Sequence, residues 1–261
     1  MGKIAILSDI HSNLPALTAV LREVHASGAE RIVFLGDIVG YGASPAECVE
    51  WVRKLGGGCV MGNHEEAMGL LMRRGRINLD RERPQDDYRS GIVHSAKSIN
   101  DALAKWLAGL PYELSIPGAR VAHASLDEPA AWNYISDAAT AEPTLKILRR
   151  ERHSRIGFFG HTHEQGIFPD ASGAIEWLDE TRVMIPAGLA CAVMVGAVGQ
   201  PRHDTDRRAA WVLWDSADRV VEFRKTEYNR IVAAQQLVKA GLPIGSALRL
   251  LTDLEWQLLL R

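Results

Sequence analysis

Cysteine is scarce in this chain: Cys48, Cys59 and Cys191 are the only three in 261 residues, an odd number with no Cys-x-x-Cys pair. That count excludes a disulfide framework and suits three reduced thiols inside a cytosolic protein. Long apolar runs are lacking too. None approaches the roughly 20 residues that cross a bilayer, which argues against a helical membrane span. Nor is there a surplus of charge of one sign. The 30 Lys and Arg nearly balance 32 Asp and Glu, a net −2. No basic field therefore draws the chain to nucleic acid or anionic lipid, and no dedicated nucleic-acid-binding surface is expected, although a nucleotide substrate stays open. Met1-Gly2-Lys3 runs directly into an apolar segment, not into a signal peptide, so a cytoplasmic location is expected. No internal repeat, low-complexity segment or linker interrupts residues 1–261, and the length suits one domain with a sizeable core.

What is present is 47 % apolar residues, set out in short runs. In the first half these predict strands at Ile4–Leu7, Ile32–Leu35, Cys59–Met61, Val121-Ala122 and Ile156–Phe159. Unbroken apolar runs suit strands covered on both faces. Helices lie between them. Asn13-Leu14-Pro15 supplies a cap and a first-turn proline, and Leu14, Leu17, Leu21 and Val24 follow at helical spacing. Ser44-Pro45-Ala46-Glu47 reads as a capping box, with Cys48, Trp51, Val52 and Leu55 as the buried stripe and Gly56–Gly58 as the stop. Residues 64–110 read as a mostly helical cap or insertion, with Ile92, Ala96, Ile99, Leu103, Leu107 and Leu110 in one period and a charged, solvated loop over 73–89. After residue 165 the pattern turns to strands: Ala174–Leu178, Arg182–Ile185, Cys191–Val195, Ala209–Trp214 and Val220–Tyr228, with a hairpin at Asp215–Asp218. Residues 230–260 return to helix, ending in a leucine-rich segment at Asp253–Arg261. The order predicts an α/β fold, two sheets packed as a sandwich and flanked by helices.

Polar residues with chemistry stand just after the predicted strands. The first strand leads to Asp9 and His11, the second to Gly36-Asp37, and the third to Gly62-Asn63-His64-Glu65. Val121-Ala122 leads to His123, and the last strand to Gly160-His161-Thr162-His163. In open α/β sheets ligands bind beyond the carboxyl ends of the strands, so these residues are expected to converge there. Taken singly, each is as well explained by a cap, a turn or a satisfied core histidine. Five such matches, each in the same position relative to a strand, are not.

The series Asp9-x-His11, Gly36-Asp37, Gly62-Asn63-His64-Glu65, His123 and Gly160-His161-x-His163 resembles the calcineurin-like metallophosphoesterases, over residues 3 to about 228. Gly40-Tyr41-Gly42 and Val198-Gly199-Gln200-Pro201-Arg202 resemble, more narrowly, a bacterial and archaeal branch of predicted phosphodiesterases. The resemblance implies two divalent transition-metal ions, drawn from Mn, Fe, Zn and Ni. It implies Asp9, His11 and His163 on one ion, Asn63, His123 and His161 on the other, Asp37 bridging both, and His64 facing the leaving group. Such a pair of ions clamps the attacking and leaving oxygens of an in-line displacement at phosphorus. With Asp9 and Asp37 as the only anionic ligands and one bridging hydroxide, the two ions keep one net positive charge, which favours a phosphate anion.

The function so implied is hydrolysis of a phosphodiester by a metal-bridging hydroxide, acting on a small phosphate ester, with nucleotides among the candidates. A phosphomonoesterase, including a protein serine/threonine phosphatase, is the alternative. Phosphatases of that kind carry arginines after the second and third motifs, where this chain has Gly40-Tyr41-Gly42 and Glu65-Glu66. A non-catalytic scaffold of the same fold is the third reading, disfavoured by the complete motif set. Asn13, Tyr41 and Arg202 are candidate substrate contacts, each with a plain structural explanation as cap, packing residue or exposed side chain. Glu65 is placed where it could orient His64, and Trp211 and Trp214 read as sheet packing.

Overall fold

In a computed structural model, which describes residues 2–74, 86–152, 154–171, 173–202, 206–252 and 255–257, strand β1 (Lys3–Leu7) is buried on both faces. Ile4 and Ile6 enter one apolar cluster while Ala5 and Leu7 enter another. The alternation is the period of two of a strand, and the two-sided burial is why the run reads as continuously apolar.

β1 sits between β2 (Arg31–Phe34), parallel to it, and β10 (Ala209–Asp215), antiparallel. β11 (Val220–Thr226), β8 (Arg182–Met184) and the short β7 (Glu176–Trp177) complete a six-stranded sheet in the order β2-β1-β10-β11-β8-β7. A second sheet runs β3 (Glu113–Ile116), β4 (Ala119–Ala122), β5 (Ile156–Phe159), β9 (Cys191–Val195), β6 (Gln165–Pro169), with β4, β5 and β9 parallel. Ile4, Ile6, Val33 and Trp214 of the first sheet meet Val121, Phe158 and Val193 of the second in a shared core. The outer face of the first sheet is covered by α1 (Leu14–Ala26), α2 (Pro45–Leu55), α3 (Asn63–Met72), α4 (Asp87–Ser98), α5 (Asp101–Ala108) and α7 (Arg230–Lys239), with the short α8 (Ile244–Leu248) beside it. The outer face of the second is covered by α6 (Ala138–Arg150), through Ala141, Leu145 and Leu148. The result is the predicted helix–sheet–sheet–helix arrangement.

Several details differ from the sequence reading. Cys59–Met61 forms a single bridge, Cys59 to Phe34, and no strand, because Gly57-Gly58 and Gly62 leave it too short to build a ladder. It still runs alongside β2 through Phe34 N–H to Gly58 O and Val60 N–H to Phe34 O, both 3.0 Å. The Ser44 side chain makes no capping bond, and Trp51 and Leu55 are exposed; Cys48, Val49 and Val52 form the buried stripe. The period from Ile92 to Leu107 is cut at Asn100, whose side chain accepts from Leu103 N–H and starts α5. β3 and β6 were not predicted, being half-exposed strands. Of the expected loop at 73–89, residues 87–89 begin α4, and 75–85 lie outside the described residues, as do Asp253, Leu254 and 258–261 of the leucine-rich terminus. Cys48, Cys59 and Cys191 are buried and unpaired. Among the described residues no helix is long and apolar enough to cross a membrane.

Candidate metal centre

The loops that leave β1, β2, β4 and β5 meet at one end of the two sheets. Their backbones are bonded to one another: Asp9 N–H to Gly36 O at 3.2 Å, His11 N–H to Asp37 O at 2.9 Å, and Gly160 N–H to His123 O at 2.8 Å. The motif glycines permit this approach. A Cβ at Gly160 would overlap the Ser8 hydroxyl and the Asp9 carboxylate, and one at Gly62 would overlap Asp37. Asp9, His11, Asp37, His161 and His163 all have φ between +46° and +66°, a region uncommon for any residue but glycine, although Asn, Asp and His enter it more readily than the rest. Strain concentrated at a polar cluster is a mark of a functional site.

Each carboxylate has one oxygen fixed by a backbone N–H and the other turned inward. Asp9 Oδ2 accepts from His161 N–H at 3.0 Å, leaving Oδ1 3.2 Å from His163 Nε2 and 3.6 Å from His11 Nε2. Asp37 Oδ1 accepts from His64 N–H at 2.9 Å, leaving Oδ2 3.3 Å from His123 Nε2 and 3.8 Å from both His11 and His64 Nε2. The imidazoles are fixed from behind. His11 Nδ1 faces Val39 O at 3.1 Å, His123 Nδ1 faces Leu35 O at 2.7 Å, and His163 Nδ1 faces Gln200 O at 2.6 Å. A carbonyl only accepts, so each Nδ1 carries a hydrogen and each Nε2 is turned to the centre, where it offers a lone pair whenever the ring is neutral.

That arrangement fits cations. His11 Nε2 and His163 Nε2 lie 3.1 Å apart with their lone pairs converging. His123 Nε2 lies 3.1 Å from Asn63 Oδ1 and 3.2 Å from His161 Nδ1. Asp9 Oδ1 and His161 Nε2 are buried without a hydrogen-bond partner. Ligand atoms of Asp9, His11 and His163 lie within 4.8 Å of one another, as do those of Asp37, His123 and His161, and those of His11, Asp37 and His64. Imidazole with carboxylate suits first-row transition ions.

The electrostatics point the same way. Burial would raise the carboxyls of Asp9 and Asp37, but the surrounding imidazoles, His163 for Asp9 and His123 for Asp37, hold both well below the usual carboxylate range. Burial disfavours a charged His123, and the Asp37 carboxylate more than offsets it, pushing His123 up to about 9. A proton thus occupies in the metal-free protein the place a cation would take. Burial pushes His64 down to about 3 and His161 to about 4, and lowers His163.

Beyond the motifs, the sequence concealed several neighbours. Glu65 does not orient His64. Its buried carboxylate accepts from Asp37 N–H at 2.8 Å, Gly62 N–H at 2.9 Å and Val39 N–H at 3.1 Å, and so holds the loop that carries Asp37. Glu66 accepts from Tyr112 OH and Trp132 Nε1–H, and Trp132 lies 5.8 Å from His123. Tyr88 packs edge-on to His64 at 4.7 Å, and Tyr134 stacks on His161 at 4.0 Å. No periodicity marks these rings, because they come from α4 and from the irregular segment before α6. Of the candidate contacts, Tyr41 lies against both His11 and His64 at 4.8 Å. Asn13 is taken up by the scaffold: its oxygen accepts from Ala16 N–H and its amide donates to Gly199 O at 2.8 Å. Arg202 is exposed and lines, with His163, Arg208 and Lys225, a cavity of about 560 Å³ beside the centre.

Comparison with known proteins agrees with this geometry. Residues 2–165 match the sequence profile of the calcineurin-like phosphoesterases. An uncharacterised protein of Methanocaldococcus jannaschii is 33 % identical over 244 residues, 92 % of this chain and 93 % of that one. The crystal structure of a metallophosphoesterase from Sphaerobacter thermophilus matches with a TM-score of 0.78 at 30 % identity, over 95 % of this chain and 98 % of that one. A hypothetical protein from Pyrococcus horikoshii shares the fold, with a TM-score of 0.76 at 19 % identity over 96 % and 98 % of the two chains. The profile match and these relatives, together with a cluster of carboxylates and imidazoles at the strand ends, make the chain a member of the calcineurin-like phosphoesterase family, metal-dependent hydrolases of phosphoric esters.

Proposed function

We propose that the centre holds two divalent transition-metal ions and hydrolyses phosphodiesters. The observation that carries the diester reading is the wall around the imidazoles. Tyr41, Tyr88, Trp132 and Tyr134 touch them, and all four are uncharged. A phosphomonoester is a dianion and is best grasped by guanidinium groups. A diester carries one negative charge and two organic substituents, which an uncharged aromatic wall suits. Glu65 and Glu66, after the third motif, are engaged with backbone N–H groups and with Tyr112 and Trp132.

In this reading Asp9 Oδ1, His11 Nε2 and His163 Nε2 would hold one ion, and Asn63, His123 and His161 the other. Asp37 would lie between them through Oδ2, since its other oxygen is fixed by His64 N–H. Bound there, the ions would supply Lewis acidity toward the phosphoryl oxygens and a water-derived nucleophile at neutral pH. The chain supplies orientation: the carbonyls of Leu35, Val39 and Gln200 fix three ring tautomers. His64 is neutral at pH 7 because burial pushes it to about 3. Its part is to donate an N–H hydrogen bond to the departing oxygen, easing the charge that develops there.

The test is hydrolysis of a bis-aryl phosphodiester by the Mn²⁺-loaded protein, beside the aryl monoester and an Asn63→Ala control. Diester turnover that exceeds monoester turnover and is lost in the control is expected. Monoester turnover alone would replace this reading with a phosphomonoesterase. Silence on both esters with metal bound would favour a non-catalytic scaffold.

A further inference from the structure

The chain has five tyrosines, and four of them cluster around the centre. Tyr41, Tyr88 and Tyr134 touch site imidazoles directly, and Tyr112 packs on Trp132 at 5.7 Å. Two of these rings are not fully used by the fold. Tyr134 remains 50 % exposed and Tyr88 39 % exposed, although each lies against a buried histidine. A tyrosine left half open beside a polar centre keeps ring surface that a ligand can cover.

Tyr134 is the more informative of the two. One face stacks on His161, with ring centroids 4.0 Å apart and an interplanar angle of 25°, so the plane of the ring is set. The segment that carries it is held in place. A 3₁₀ turn at Pro129–Ala131 is bracketed by Glu128 and Trp132 at φ +49° and +58°. Glu66 fixes Trp132 through its indole N–H at 3.1 Å. Non-glycine residues in this region of backbone space cost energy and mark places where a side chain is being aimed. Tyr88 lies beside His64, the residue assigned above to the departing oxygen, whereas Tyr134 lies over His161.

We infer that Tyr134, presented by the 128–132 turn, is a stacking platform for a planar aromatic group on the retained side of the ester. The inference rests on the diester reading and narrows it: the substrate class is a phosphodiester whose retained substituent is a nucleobase-bearing or aryl group. Stacking is tolerant of ring identity because every such group offers a π face, so the platform selects planarity and no particular base.

The closing experiment keeps the leaving group constant. Three p-nitrophenyl phosphodiesters are compared on the Mn²⁺-loaded protein, with thymidine 5′-yl, phenyl or methyl as the retained substituent. The wild type is expected to prefer the two aromatic esters over the methyl ester in kcat/KM. In Tyr134→Leu that preference falls about tenfold or more, and in Tyr134→Phe it is kept, whatever either change does to the absolute rates. Preference for thymidine alone narrows the class to nucleotide esters, and equal preference for thymidine and phenyl shows that planarity is all the platform selects. A preference unchanged in Tyr134→Leu, in a protein that cleaves all three, overturns the platform and leaves the diesterase reading standing. If no diester is cleaved, the same contrast is read by titrating thymidine 5′-monophosphate against methyl phosphate in a calorimeter. Tighter binding of the nucleotide that is lost in Tyr134→Leu supports the platform without the diesterase, and equal binding overturns it.

Discussion

At the scale of single residues, two buried groups decide how ready the centre is for a cation. Glu65 satisfies three backbone N–H groups, those of Asp37, Val39 and Gly62, with one carboxylate. Glutamine keeps one carbonyl oxygen and adds a donor where three donors already converge. Glu65→Gln is expected to lose about 1–3 kcal/mol of stability. It should also weaken metal binding, because the loop that carries Asp37 loses at least one of its three anchors. Denaturant unfolding and a metal titration would show both; a variant matching the wild type in each would mean the loop is held by other contacts. The second group is His123. Its pKa of about 9 in the metal-free protein lies above the ordinary value of 6.5, owing to Asp37 at 3.3 Å, which outweighs burial. The proton it gains on folding stabilises fully below about pH 6.5, and that contribution is lost as pH rises through about 9. The metal-free protein should therefore melt at progressively lower temperature across that window. Metal binding needs the lone pair on Nε2, so loading at pH 7 should release a proton that is no longer released above pH 9, and affinity should rise with pH over the same range. Calorimetry in buffers of different ionisation heat measures this release; its absence at pH 7 would show that His123 is neutral before metal arrives.

At the scale of elements, the centre is a product of how tightly loops can approach. Gly160 follows β5 with no room for a Cβ, since Ser8 Oγ and Asp9 Oδ2 already fill that space. Gly160→Ala should push the Asp9 carboxylate aside and lower metal affinity by at least about tenfold, as loss of an orienting contact does. Far-UV circular dichroism should stay unchanged, because β5 and its apolar partners are untouched; wild-type affinity would show that the loop can shift at no cost. The same elements show what was legible beforehand. β1, β2, β5 and β9 declared themselves as apolar runs because both of their faces are covered, and the motif residues followed their carboxyl ends. β6 escaped notice because all of its residues are half-buried and it contains Gly166 and Pro169, the residues that usually end strands. β3 is an edge strand with Glu113 and Ser115 exposed. The stripe of α2 was misread at Trp51 and Leu55, since helical spacing alone does not say how wide the covered face is. The carboxylates and imidazoles that converge on the centre were legible because chemistry restricts their residue types; of the aromatic rings beside them only Tyr41 was singled out, because tyrosine is as common in packing as in binding.

At the scale of the whole molecule, the centre joins the two sheets. Asp9, His11 and Asp37 follow strands of the first sheet, while His123, His161 and His163 follow strands of the second. The direct ties between these loops include Gly36 O with Asp9 N–H and Asp9 Oδ2 with His161 N–H. Asp9 Oδ1 and His161 Nε2 of this cluster are buried without a hydrogen-bond partner. An ion that accepts their lone pairs would bind only when both sheets are in place, and so would stabilise the packed sandwich by mass action. At free metal one hundred times Kd this amounts to about 2.7 kcal/mol for one site. Each kcal/mol shifts Tm by roughly 2–4 °C in chains of about 150–250 residues, and the 261 residues here put the shift at about 2 °C. Chelation is therefore expected to lower Tm by about 5 °C, and restoring Mn²⁺ to recover it. Trp214→Ala serves as the contrast. Trp214 is fully buried between the sheets, 5.5 Å from Phe158, and its loss should cost about 3–5 kcal/mol in the presence and absence of metal alike. In Asp37→Asn, by contrast, most of the chelator-sensitive part of Tm should be gone while the metal-free Tm changes little beyond the loss of the pairing with His123. A chelator-sensitive Tm that survives Asp37→Asn undiminished would place the stabilising ion away from this centre.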